Sequence, residues 1–313
     1  MKLCVIGNPE NRRVLDLQTT ATRLGWDEPH CVSWLDLIEH GVETLPECDL
    51  VRIESPGENH QVQRRFIALG GGPDRQLEFG ELCWLRESYL GFALQLNKIG
   101  QSAPFQNPPA DISLMFDKWK CHLRFDAAGV PRPKTWLAPT TAESFRTFRD
   151  ELGRELRGHA FLKPRYSSSA SGVCALRWFN GREQLIAPIE IVRHQGRTQL
   201  FNSLRVRSYT SLADIQTILS ILLPQGMICE RWIPKARTAG DGFDLRMLVI
   251  ADQVRHCVVR QSVHPMTNLH LGNRRGSLEE VASVVGTATL QDARRLAEAA
   301  MRCFPNSLYA GVD

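Results

Sequence analysis

The segment 161–173, FLKPRYSSSASGV, gathers the residues best suited to chemistry: a strand-like run delivers Lys163, and Ser167, Ser168, Ser169, Ser171 and Gly172 follow before the next apolar run. Small polar residues let a backbone come close to phosphate, their N–H and hydroxyl groups donate, and the lysine adds a point charge. The arrangement is not Walker A, in which the lysine ends the loop and a helix follows. Taken alone, the pattern also fits a flexible surface hairpin. The order of further residues favours a ligand. Lys118, in FDKWKCHLRF, precedes Lys163 by 45 positions, and Glu230 ends the apolar run in CERWI, where a carboxylate and strand-edge amides can read an adenine edge. Asp244 and Arg246, two apart in FDLRMLVI, share one strand face. Arg260 lies in the next apolar run, and Asn268 follows in PMTNLH.

Each residue also has a plainer reading: a solvated helix lysine for Lys118, a strand-edge cap for Glu230, an ion pair for Asp244 with Arg246, a surface arginine for Arg260, a turn for Asn268. The arginines from 193 to 207 fit a solvated hairpin face, with an acidic substrate as the alternative. The nine histidines show no ligand spacing and read as structural. The turn GNPENRR, at 7–13, lacks a dinucleotide fingerprint.

The elements that must position these groups follow from periodicity. Apolar runs at 3–6, 31–34 and 50–53 alternate with a helix over about 9–24, a βαβ pattern that predicts a parallel sheet. Asn8 is the expected N-cap of that helix, with Pro9 at its first position. A helix-like stretch at 81–98 leads to an irregular linker at 104–109. One helix is expected over about 112–128, stopped by Gly129, Pro131 and Pro133. Strands are then expected at 160–163 and 173–178, a helix at 212–222, and strands at 226–232, 244–251 and 254–262, the last two joined at Asp252 and Gln253. A helix over 290–303, with Thr289 and Asp292 as a capping box, and a strand at 307–313 close the sequence.

Composition sets the outer limits. With 313 residues, 43% hydrophobic and 23% charged, the chain can bury a real core, and disorder as a global state is excluded. Net charge is only +4, which suits an anionic ligand but predicts neither nucleic acid nor membrane as partner; basic residues are dispersed and aromatics are 8%. Nine cysteines, no two closer than 17 residues, exclude zinc knuckles and CxxC pairs and fit reduced thiols and a cytoplasmic location. No apolar stretch approaches membrane-spanning length.

The order DK helix, KP strand with a covering loop, E-aromatic hinge, D-x-R strand, arginine and N-L-H resembles the ATP-grasp superfamily over residues 112–313, closest to the RimK-like ligases, which add glutamate to a protein or peptide. The first hundred residues resemble the Rossmann-like domain that precedes this fold, in an uncharacterised bacterial branch. The resemblance implies an α/β fold: a Rossmann-like pre-ATP-grasp domain at 1–110, then an ATP-grasp fold of two α+β subdomains, 111–232 and 233–313. It implies that Lys118 and Lys163 contact ATP phosphates under a loop containing Ser168, Ser169 and Gly172. Glu230, Arg231, Trp232 and Ile233 would hold the adenine, and Asp244, with Arg246, would lie near the ribose. Arg260 and Asn268 would face the γ-phosphate, and Asp313 would bind Mg²⁺.

The expected activity is ATP-dependent joining of a carboxylate to an amine through an acyl-phosphate, on an unnamed amino acid, peptide or protein. Such chemistry relies on charge neutralisation and needs no nucleophilic side chain, in keeping with the lack of a Ser-His-Asp or Cys-His set. The alternative is an ATP-binding module without ligase activity; homo-oligomerisation stays open. In relatives a glutamate and an asparagine, spaced E-x-N, follow the strand-end aspartate by about a dozen residues, so the second subdomain looks truncated and the natural chain is expected to continue past Asp313. The serine loop is expected to be a mobile lid, having no large apolar anchor.

Overall fold

The computed structural model describes residues 1–100, 104–238 and 240–313. It divides into two compact units: Met1–Glu78, Arg86–Met115 and Pro305–Leu308 in the first, Phe79–Leu85, Phe116–Phe304 and Tyr309–Asp313 in the second.

In the first unit β1 (Leu3–Gly7), β2 (His30–Ser33) and β3 (Leu50–Ile53) form the expected parallel sheet in the order β2-β1-β3. The helices are α1 (Arg12–Arg23), α2 (Trp34–His40), α3 (His60–Leu69), α4 (Leu85–Ile99) and α5 (Pro109–Phe116). α1 starts later than expected. Asn11 caps it, accepting from Arg13 N at 3.0 Å, while the buried Asn8 donates its amide to Pro56 O and Gly57 O at 3.1 and 3.0 Å. Asn8 thus braces a neighbouring loop. Trp34, read as the end of a strand, opens α2 because Ser33 accepts from Asp36 N. Trp34, Phe66 and Phe92 meet edge to face with centroids 5.6–5.7 Å apart, the preferred aromatic geometry. α3 and α4 touch backbone to backbone, since a Cβ on Gly91 would lie 1.9 Å from Phe66 O.

The second unit opens with α6 (Lys118–Ala127), β4 (Thr135–Leu137), α7 (Ala142–Glu151), α8 (Gly153–Leu156), β5 (His159–Pro164) and β6 (Cys174–Phe179). The hairpin β7 (Arg182–His194) and β8 (Arg197–Tyr209) follows, then α9 (Leu212–Leu222) and β9 (Met227–Arg231). These six strands form a sheet in the order β4-β9-β5-β6-β7-β8. Alternation along β5 sends Ala160 and Leu162 into a core with Phe145, Leu176, Ile215 and Cys229, leaving His159, Phe161 and Lys163 on the opposite face. The expected 112–128 helix is two helices, α5 and α6. Asp117 lies between them with an extended backbone and accepts from Lys120 N, so its side chain competes with helix continuation and starts a new helix at Lys118.

A second sheet holds β10 (Arg237–Thr238), β11 (Asp241–Ile250), β12 (Gln253–Ser262), β13 (Arg274–Gly276) and β14 (Tyr309–Val312), with β14 paired to β11. The β11–β12 turn is Ala251 and Asp252, both with positive φ, one residue earlier than expected. Helices α10 (Leu278–Val285) and α11 (Thr287–Arg302) cover the sheet, packing Val281 on Phe243 and Val259, and Ala297 and Met301 on Met247 and Val249. α10 was not foreseen. The expected capping box fails because Gly286, at φ +84°, starts α11 and places Thr289 inside it. No helix is long and apolar enough to cross a membrane among the described residues.

Candidate functional site

Lys163 on β5 and Glu230 on β9 lie on the same sheet face, since Phe161 is registered with Glu230 and Lys163 with Ile228. Diagonal neighbours of this kind are within reach of long side chains, and Lys163 Nζ sits 2.6 Å from Glu230 Oε1. Lys118 comes from the first turn of α6. Its Nζ donates to Pro164 O at 3.0 Å and to Ser167 O at the start of the serine loop. The first turn of a helix is electrostatically adverse for a cation. Burial, with repulsion from Lys163, pulls the Lys118 ammonium down to about pKa 7, against the attraction of Asp117, Glu230 and Cys121. A lysine held at such a position marks a site that local structure would not choose.

Two residues that the sequence reading did not single out hold this arrangement. Asp117, fully buried, accepts from Arg165 Nε and Nη2 at 2.6 and 2.7 Å, a bidentate charge-assisted pair. Arg165 N donates to Gly226 O, and Lys118 N to Arg165 O. The signal available in sequence was adjacency: Asp117 precedes one lysine, and Arg165 follows the other by two.

The loop after β5 is more firmly anchored than its composition predicts. Ser167 Oγ donates to Ser171 O at 3.0 Å. Ser169, Ala170 and Gly172 are left-handed, at φ +54°, +57° and +69°. Ala170 packs in an apolar cluster with Val173, Ala175, Trp232, Met266 and Leu271, the anchor missing from the expectation. The Ser169 backbone favours the charged form of the His270 imidazole, against burial, so the loop lies near the N-L-H segment. Ser168 is part of the same turn, its carbonyl accepting from Ser171 N.

Trp232 lies on the β5 face with its ring 4.9 Å from Phe161 and 5.7 Å from His159, and Arg177 sits 4.5 Å above it. It walls a cleft of about 1000 Å³ shared with His159, Arg177, Pro234, Gly242 and Pro265. Lys118, Lys163 and Glu230 are not among the cleft's walls; they lie toward the serine-loop end of β5. Arg231 N is spent on Lys134 O, whereas Ile233 is exposed.

The second sheet gathers the remaining predicted residues around Asp244. Arg260 donates to Asp244 Oδ1 at 2.7 Å, and Lys235 lies 2.9 Å from Oδ2, which also accepts from Thr267. Burial works to raise the Asp244 carboxyl, but Arg260, Lys235 and Thr267 together hold it below the usual range. Arg246 pairs with Asp313 at 2.8 Å, and Arg260 reaches the other Asp313 oxygen at 2.8 Å. The ion pair considered between Asp244 and Arg246 is therefore replaced by pairs across strands. Asn268 opens a short 3₁₀ turn, its carbonyl accepting from Leu271 N and Asn273 Nδ2. Mg²⁺ needs several hard oxygen ligands. Both Asp313 oxygens are committed to arginines, and the described residues contain no group of three or more His, Cys, Asp or Glu side chains able to hold a metal ion. The described donor set does not fit a magnesium site.

Comparison with solved structures accounts for the arrangement of the two sheets. The chain is similar to the ATP-grasp ligase PsnB complexed with a minimal precursor, at TM-score 0.51 and 15% identity over 99% of this chain and 84% of that one. It has the ATP-grasp fold. D-cycloserine synthetase DcsG aligns at TM-score 0.54 and 14% identity over 97% of this chain and 80% of that one. Carboxyaminoimidazole ribonucleotide synthase from Aspergillus clavatus, complexed with ATP, aligns at TM-score 0.52 and 13% identity over 97% and 63%. No protein-family model matches the sequence, and no curated protein does. In the ATP-grasp fold of this chain, the lysine pair and Glu230 stand on the six-stranded sheet, and the Asp244 network stands on the other sheet.

Proposed function

We propose that this protein is an ATP-dependent carboxylate–amine ligase, RimK-like, acting on an amino acid, peptide or protein. The observation that carries the reading is the approach of two lysines from two elements: Lys118, which donates to Ser167 O of the serine loop, and Lys163, which pairs with Glu230 and is near enough for its charge to act on Lys118. Two cations and a small-residue backbone suit a polyphosphate, and the ATP-grasp fold supplies the setting. Fold alone does not give function; the lysine pair is what ties the fold to a nucleotide.

In this reading Lys163 exchanges Glu230 for phosphate oxygens, and Lys118 exchanges the two carbonyls. Glu230 then turns to the base, with the backbone of Ile233 as the edge-reading group and Trp232 as a wall. Arg231 takes part only through its main chain, and Ser168, Ser169 and Gly172 cover the phosphates. Asp244 with Arg246 lies toward the ribose, and Arg260 and Asn268 toward the γ-phosphate. A carboxylate oxygen of the acid substrate attacks the γ-phosphorus and ADP leaves. The amine nitrogen then attacks the acyl carbon, phosphate departs, and nitrogen gives up a proton. The fixed cations stabilise charge developing on the transferred group.

An ATP-binding module without ligase activity has one observation in its favour: Asp244, Arg260 and Asp313 are committed to one another. Phosphate release from ATP, measured against a panel of amino acids and peptides as acid and amine, separates the two. Release that needs both an acid and an amine supports the ligase; tight nucleotide binding with no release across the panel supports the module.

A further inference from the structure

His122 lies one helical turn beyond Lys118 on α6, the spacing that stacks two side chains on one face. Its carbonyl accepts from Arg132 Nε at 3.2 Å. From Arg132 the chain runs through Lys134, whose carbonyl takes the Arg231 N–H, to Thr135, the residue registered opposite Glu230. The imidazole feels the charges of Glu230, Arg132, Lys163 and Asp126. It therefore belongs to the neighbourhood of the proposed nucleotide groups. Nδ1 is buried and has no hydrogen-bond partner among the described residues.

Buried polar atoms in folded proteins are nearly always paired, and an exception beside a ligand site calls for an account. Burial pulls the ring down to about pKa 4, against the attraction of Glu230, so it is neutral at physiological pH and can offer a lone pair. A neutral imidazole adds nothing to phosphate binding; it can discriminate among uncharged groups. Glu230, the nearest carboxylate proposed for the base, only accepts hydrogen bonds when ionised. Two acceptors in one neighbourhood, with Glu230 close enough for its charge to act on the imidazole, favour a partner with two N–H bonds.

We infer that His122 is a base-reading residue, its Nδ1 accepting from the 6-amino group of adenine, so that the site prefers a 6-aminopurine triphosphate to a 6-oxopurine one. This rests on the nucleotide reading and adds to it a source of base specificity on α6, outside the serine loop and the hinge strand. A binding site that leaves a polar atom unpaired until its ligand arrives discriminates strongly against ligands lacking the matching group. It also gives up stability in the free protein.

The test is calorimetric titration of the full chain with ATP, ITP and inorganic tripolyphosphate, together with thermal melting, for the wild type, His122→Leu and His122→Asn. ATP and ITP differ at C6, where one carries an amino group and the other a carbonyl. The expected result for His122→Leu is a roughly tenfold loss of ATP affinity, about one hydrogen bond. ITP and tripolyphosphate affinities should stay within about twofold, and the melting temperature should be equal or higher, since an apolar side chain replaces an unpaired polar one. His122→Asn, which keeps an acceptor near the Nδ1 position, should retain most of the ATP preference, and His122→Phe takes the place of the leucine variant if that one does not fold. An unchanged ATP-to-ITP ratio in the apolar variant, or a loss confined to ITP, overturns the role of His122. If the wild type binds tripolyphosphate and ATP equally well, base reading fails while the phosphate site stands. If it binds neither, the nucleotide reading falls and this inference falls with it.

Discussion

Lys163 and Glu230 form an ion pair of 2.6 Å across two neighbouring strands, with both side chains largely shielded from solvent. Neither member can serve a ligand without releasing the other, and the two losses should differ. Glu230→Gln frees the lysine charge and removes the carboxylate proposed for the base. Tripolyphosphate affinity should hold or rise, while ATP affinity falls by about tenfold. Competition titrations of both ligands give the comparison; equal losses would remove the base role of Glu230.

Lys118 makes stability depend on pH with a definite sign. Its folded pKa, about 7, lies below the unfolded value of 10.5, so between these limits the unfolded chain binds a proton that the folded chain lacks. Stability rises with pH wherever the unfolded state binds more protons. Urea denaturation of the wild type and Lys118→Met should therefore show the wild type gaining relative to the variant from about pH 7 to about pH 10, with no further relative change below about pH 6. A difference that does not vary with pH would mean that Lys118 keeps its ordinary pKa.

Phosphate binding should restore the Lys118 proton, because a nearby anion favours the charged form. At about pH 8, ATP titrations in buffers of different ionisation enthalpy should show net proton uptake by the wild type, reduced in Lys118→Met. Identical uptake in both would place the titrating group elsewhere.

The Asp117–Arg165 pair is structural support for the lysines. Asp117→Ala removes an N-cap and leaves a shielded guanidinium without its carboxylate, a change worth about 3–5 kcal/mol. Chemical denaturation should show a loss of that order. A loss under about 1 kcal/mol, the range of exposed pairs, would contradict the burial described here.

Gly172 tests the loop. It is left-handed at φ +69°, and a Cβ there would lie 2.8 Å from Pro164 Cγ. Gly172→Ala should cost at least about 1 kcal/mol and should raise protease sensitivity within 165–173. Unchanged stability and cleavage would show that the loop does not need this conformation.

The sequence carried the α/β class and much of the element order, because strands such as those at 160–163, 244–251 and 254–262 are marked as short apolar runs between turn residues. Lys118, Lys163 and Glu230 stand out by type and order together with the family resemblance, and the structure pairs Lys163 with Glu230 and sets Lys118 on the loop after β5. What it hid was set by contacts distant in sequence. Asp117 breaks a helix that periodicity extends through it, and Arg165, which binds it, is 48 positions away. Asp244 and Arg246 share a strand face as expected, yet Asp244 pairs with Arg260 on β12 and Arg246 with Asp313, just past β14. His122 lay in plain view one turn from Lys118, but only the buried, unpaired Nδ1 sets it apart from a structural histidine.

The most direct measurement is calorimetric titration of ATP into the wild type and Lys163→Ala, with circular dichroism confirming the fold of both. The wild type should show saturable one-to-one binding. The variant should lose about 2 kcal/mol, roughly thirtyfold in affinity, with the folded spectrum kept. Equal affinity in the two proteins would contradict the assignment of the lysine pair to the nucleotide.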